Sequence, residues 1–149
     1  MGMFTRTLAA PPFGTLRAEG QSKVWEGEID LPPLGQGFTL RIHGVSTGPS
    51  PAQTAAFARV LENAGQIREQ ATPALIGFLL ECEVVPDDVS LTADTLWKFL
   101  EPCFLEVHAD DYLGEPQSAC AIGYAIPWEQ DQLVHIDVIN GEFDDIHSE

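Results

Sequence analysis

Two short segments carry the side chains most able to do chemistry, His108-Ala109-Asp110-Asp111 and His135-Ile136-Asp137. Imidazole nitrogen and carboxylate oxygen together suit a divalent transition metal. If the strands that bear them are neighbours, His108, Asp110, Asp111, His135 and Asp137 converge on one site. No HxH pair and no HExxH helix accompanies them. The plainer alternative puts His108 at a strand end beside a solvated acidic loop, with His135 as one outward residue of an alternating strand. The segment Asp110-Asp111-Tyr112-Leu113-Gly114-Glu115 has acids and a glycine but lacks the alternating oxygen ligands of a calcium loop. There is no G-x-S-x-G elbow, and Cys82 and Cys120 have no basic neighbour in sequence to activate a thiol. His43 reads as a structural strand residue. Neither a P-loop nor a GxGxxG turn is present, so no cofactor, no catalytic residue and no metal ligand is assigned.

Charge is the stronger signal. Residues 1–68 hold six Lys/Arg and five Asp/Glu, whereas residues 69–149 hold one base, Lys98, and eighteen acids. One negative pole on a chain of net charge −16 repels nucleic acid and anionic membrane, and it steers basic protein surfaces toward itself. Direct nucleic-acid binding would need a basic stripe, and the bases here are few and scattered. Solubility alone does not require every excess acid in one half. The candidate binding surface is therefore Asp110, Asp111, Glu115, Glu129, Asp131, Asp137, Glu142, Asp144 and Asp145, with Tyr112 and Trp128 as apolar anchors among the acids.

The elements that must position these residues follow from periodicity. Residues 13–18, 23–31 and 38–43 read as strands; in the second, Trp25, Gly27, Ile29 and Leu31 alternate with Glu26, Glu28 and Asp30. Ser50-Pro51-Ala52-Gln53 is a capping box with proline in the first turn. Phe57, Val60, Leu61 and Ala64 continue it as an amphipathic helix that Gly65 is expected to stop. A second helix is expected from about Gln66 to Cys82, with Pro73 as a kink or a first turn. Thr92 is expected to cap a short third helix carrying Leu96, Phe99 and Leu100. Strands return at 103–108, 118–126, 132–139 and 142–147. The 118–126 segment is apolar on both faces, as a central strand would be, and Asn140-Gly141 is a strong two-residue hairpin signal. The predicted fold class is α+β: one domain over 1–149, an antiparallel sheet of N-terminal strands plus a C-terminal meander, packed on two to three helices. Residues 1–12 are expected to be loosely ordered.

At 149 residues and 44% apolar composition the chain can bury a real core. Three cysteines, Cys82, Cys103 and Cys120, lack CxxC spacing and are expected to be small buried hydrophobes in a reducing compartment. There is no signal-peptide pattern and no apolar run long enough to span a bilayer, so a cytoplasmic location is expected.

Several pieces together resemble a known family. These are Trp25-Glu26-Gly27-Glu28-Ile29 with Leu31-Pro32 and the 35–38 turn into Thr39-Leu40-Arg41-Ile42, then Ser50-Pro51-Ala52-Gln53 with Leu61-Glu62-Asn63, and finally Trp128-Glu129-Gln130-Asp131 through Asn140-Gly141. They resemble a family of small bacterial domains associated with polymorphic toxin systems and taken to be immunity proteins. Over roughly residues 23 to 145 the order of motifs is similar, but the family's closing turn, of the type Trp-Asp-x-Glu-His-Gly-Leu, is replaced here by Gln130-Asp131-Gln132. The resemblance implies a cytoplasmic, non-enzymatic antitoxin whose partner is a cognate protein toxin. A toxin that degrades nucleic acid commonly has a basic cleft, which an acidic surface can cover. Two other expectations stand beside it: a metal-dependent enzyme or metal-binding protein built on the His/Asp cluster, and a structural adaptor or homo-oligomeric module joined through a sheet edge.

Overall fold

A computed structural model of the chain describes residues 4–110 and 118–148, with side chains at all of these except 130 and 131. Eight strands form one sheet in chain order: β1 (Thr5–Ala9), β2 (Thr15–Glu19), β3 (Val24–Leu31), β4 (Gly35–His43), β5 (Glu101–Val107), β6 (Ala119–Ile126), β7 (Glu129–Ile139) and β8 (Glu142–Ser148). Every neighbouring pair is antiparallel except β4 and β5, which run parallel. A parallel pair needs a long crossover, and the crossover here carries α1 (Pro51–Glu81) and the one-turn α2 (Leu96–Phe99). The fold is thus α+β but dominated by its sheet, with a single main helix where two to three were expected.

That helix runs through both predicted breaks. Gly65 is exposed and adopts helical backbone, and Pro73 lies on the exposed side. The apolar face, Phe57, Val60, Ala64, Ile67, Ala71, Leu75 and Leu79, passes both positions without a change of phase. Burying that face outweighs the ~1 kcal/mol that glycine costs a helix. Proline removes one donor to the preceding turn; its neighbour Thr72 donates its hydroxyl to the Arg68 carbonyl at 2.6 Å. The helix ends at Cys82, followed by Glu83 in left-handed backbone (φ 56°). Cys82 therefore falls beyond the last buried turn and is exposed, Cys103 is half-buried, and only Cys120 matches the buried expectation.

One face of the sheet packs on α1 and forms the core: Leu40 and Ile42 of β4, Leu105 and Val107 of β5, Ile122 and Tyr124 of β6, Val134 and Ile136 of β7. Near the N-terminus, residues expected to be loose instead form β1. Its Arg6 lies over the Trp25 ring at 4.9 Å and donates to the Ser22 and Ser46 carbonyls. The short polar run Thr5-Arg6-Thr7 carries no strong strand signal; this tertiary anchoring supplies the order. Asn140 and Gly141 both have positive φ (52° and 84°), as the hairpin requires, and a side chain at 141 would meet Arg59 Cβ at 2.3 Å. Among the described residues, no helix is long and apolar enough to cross a membrane.

Candidate functional site

The sheet face turned away from α1 gathers the polar chemistry. Glu106 on β5 is the register partner of Ala121 on β6, and Ala121 is the partner of Asp137 on β7. The two carboxylates thus face each other across an alanine, their backbones about 10 Å apart at two strand spacings. One row along, Phe104, Gly123, His135 and His147 are aligned in the same way. Gly123 is required there: a Cβ would lie 2.1 Å from the Phe104 ring. That ring covers the glycine and meets His135 edge-on, with centroids 5.0 Å apart and planes at 81°. In the other direction the Ala119 carbonyl accepts from the His108 amide at 2.9 Å. Small residues on β6 with larger ones on both flanks leave a trough of about 320 Å³, floored by Ala119 and Ala121 and walled by Glu106, His108, His135, Asp137, Asp144 and His147.

All four histidines of the chain stand on this face. His43 Nε2 is 3.2 Å from Glu106 Oε2, and His108 Nδ1 is 3.8 Å from Glu106 Oε1. On the opposite wall His147 Nδ1 is 2.7 Å from Asp137 Oδ2, and the His147 and His135 rings lie 4.6 Å apart. Burial holds the His108 imidazole below its ordinary pKa; Glu106 pulls it up, while neighbouring His43 pushes it further down. The neutral form of His108 is therefore favoured at pH 7. Burial pushes the Cys120 thiol up to about 12, so this cysteine is no nucleophile at neutral pH.

Gln53 positions one wall. Its backbone amide and side chain complete the capping box with Ser50 at 3.1 and 2.8 Å. Its Nε2 also donates to the His43 carbonyl at 2.8 Å and the His108 carbonyl at 2.9 Å. The helix start is thereby tied to the ends of both parallel strands, and the two histidines stand side by side there, their rings stacked with centroids 6.3 Å apart. Gln53 itself is almost fully buried, and its partners Ser50, His43 and His108 are half-buried.

The structure brings together some of the residues singled out from the sequence and separates others. His108, His135, Asp137 and Asp144 share the trough. Asp110 lines a different depression beside Arg59 and Asn140. Asp145 stands opposite Asp137 on the edge strand, and Glu142, opposite Ile139, borders a hollow against α1. Glu129 begins β7, eight residues from Asp137, which is roughly 25 Å along a strand. Trp128 packs on Phe99 with ring centroids 5.0 Å apart, partly buried against the core at that far end. Asp111, Tyr112 and Glu115, and the side chain of Asp131, lie outside the described residues. Among the described residues, no three His, Cys, Asp or Glu side chains converge as metal ligands would.

No family model matches the chain, and no curated protein or solved structure matches it. Glu106, His43 and His147 are the residues that sequence reasoning missed. Each is an outward position of an alternating strand, the one signal that pointed to them, but only strand order shows that they meet.

Proposed function

We propose that the protein is a non-enzymatic binder of a basic protein partner, acting as an immunity protein acts on a secreted toxin, and that it docks through the sheet face turned away from α1, over β5 to β8. One observation carries the placement: Glu106 and Asp137 flank a trough in which, among the described residues, no lining side chain is Lys or Arg. The surrounding half of the chain holds eighteen of its twenty-three acids, so approach of a basic cleft is accelerated by the whole-molecule field and registered by the trough. The order of sequence motifs supports the toxin-neutralising form of this reading. Asp137, Asp144 and Asp145 belong to one end of the face, whereas Asp110 in its separate depression and Glu129 and Trp128 at the other end are not part of the proposed docking centre.

The test is affinity capture from the producing cell, eluted in steps of rising salt. A single basic protein retained at low salt and released at high salt is expected. If nothing basic is retained under gentle, low-salt conditions, the acidic half serves solubility alone and the proposal fails. A metal-dependent protein is the second reading: His108, His135 and Asp137 line one trough, although among the described residues no three such side chains converge as metal ligands would. Stoichiometric transition metal in protein purified without chelator would support it.

A further inference from the structure

We propose that the trough is an arginine pocket: one guanidinium of the partner enters between Glu106 and Asp137 over the Ala121 floor. The inference rests on the partner reading above and adds the chemistry by which that partner is recognised. The two carboxylates sit on opposite walls, one residue of floor between them. A planar guanidinium has donors on more than one edge and can address both walls at once, whereas an ammonium is a point charge that must choose one. The imidazoles offer flat faces for that plane to lie against, and the neutral form favoured at His108 limits repelling charge on that wall. A cavity of about 320 Å³ lies at the bottom of the size range of ligand pockets, which suits a single side chain. The nearest cation on this face, Arg41, is Glu106's neighbour in register, yet its guanidinium sits 3.7 Å from Glu26 on β3 and does not line the trough.

The test titrates N-acetyl-arginine methylamide, and separately the lysine analogue and spermidine, into the full chain at constant ionic strength and pH 7.5. The readout is the ring carbon–proton NMR signals of the four histidines. Saturable shifts at His108, His135 and His147 are expected with the arginine probe, with at least fivefold weaker binding of the lysine analogue. Glu106→Gln with Asp137→Asn should weaken arginine binding at least tenfold. Ala121→Leu, which raises the floor without touching a charge, should abolish it. If the double variant loses its native amide spectrum, Asp137→Asn alone serves, with at least threefold weakening expected. Shifts that do not saturate, or that persist in the floor variant, overturn the pocket, and spermidine binding as tightly as arginine overturns its selectivity. The two levels separate cleanly. A basic partner captured equally by wild type and Ala121→Leu leaves the partner reading standing without the pocket. Saturable arginine binding with no partner captured does the reverse.

Discussion

Replacing Gln53 with leucine would expose how the helix start builds the wall of the trough. The side chain donates to two carbonyls, those of His43 and His108, and accepts from the Ser50 amide, all at 2.8–2.9 Å. Leucine has nearly the same volume but leaves these three backbone groups without the partner they had. Each loss is worth about 1–1.5 kcal/mol where water cannot substitute, so roughly 3–5 kcal/mol is expected in total. Against a typical stability of about 5–15 kcal/mol, this is a large fraction, and it corresponds to a midpoint roughly 10 °C lower for a chain of this size. Urea unfolding followed by circular dichroism, with thermal melts beside it, measures the difference. Gln53→Glu is the sharper control: it keeps the acceptor toward Ser50 but turns the donor toward two carbonyl oxygens into another acceptor. It should destabilise at least as much at pH 7 and recover in part as pH falls and the carboxyl gains a proton. A loss under about 1 kcal/mol for Gln53→Leu would show that the two strand ends hold themselves, refuting the positioning role.

Three further outcomes follow from the same geometry. The folded pKa of His108 lies below its ordinary value of 6.5, so between the two values the unfolded chain binds more protons; stability should be full above pH 6.5 and decline as pH falls through that window, and His108→Gln should flatten this slope in urea melts at stepped pH. Gly123→Ala should destabilise by about 1–3 kcal/mol, because a Cβ 2.1 Å from Phe104 must expel that ring; a denaturation midpoint unchanged from wild type would contradict the packing. With its thiol pushed up to about 12 and buried, Cys120 should resist iodoacetamide at pH 8 in the native protein while exposed Cys82 reacts; peptide mapping that finds Cys120 alkylated first would be inconsistent with the burial.

The strands after the helix were legible because each obeys a two-residue alternation or, for β6, is apolar throughout, and because Asn140-Gly141 names its own turn. The capping box at Ser50 was legible for the same local reason. The helix count was not. Gly65 and Pro73 are local stop signals, but the apolar stripe from Phe57 to Leu79 keeps its phase through both, and tertiary burial overrides the local preference. β1 was missed because its order comes from Arg6 against Trp25, a contact between distant parts of the chain. The candidate site was half legible. His108, His135 and Asp137 stood out as residue types, but Glu106 and His147 looked like any outward strand residues. Their convergence depends on the register across β5, β6, β7 and β8, which the expected C-terminal meander does not fix. Charge counting along the chain likewise could not distinguish Asp137 in the trough from Glu129 at the opposite end of the same strand.

On the proposed reading it is the trough, and not acidity in general, that recognises a basic partner. Two variants with equal loss of charge test it directly: Glu106→Gln with Asp137→Asn in the trough, and Asp87→Asn with Asp88→Asn in the exposed turn beyond the far end of α1. Affinity for the captured basic protein would be measured for both at one ionic strength. At least a tenfold loss is expected for the trough variant and a change within twofold for the distal one. Equal losses would reduce the interaction to net charge, and an unchanged trough variant would place the binding surface elsewhere on the molecule.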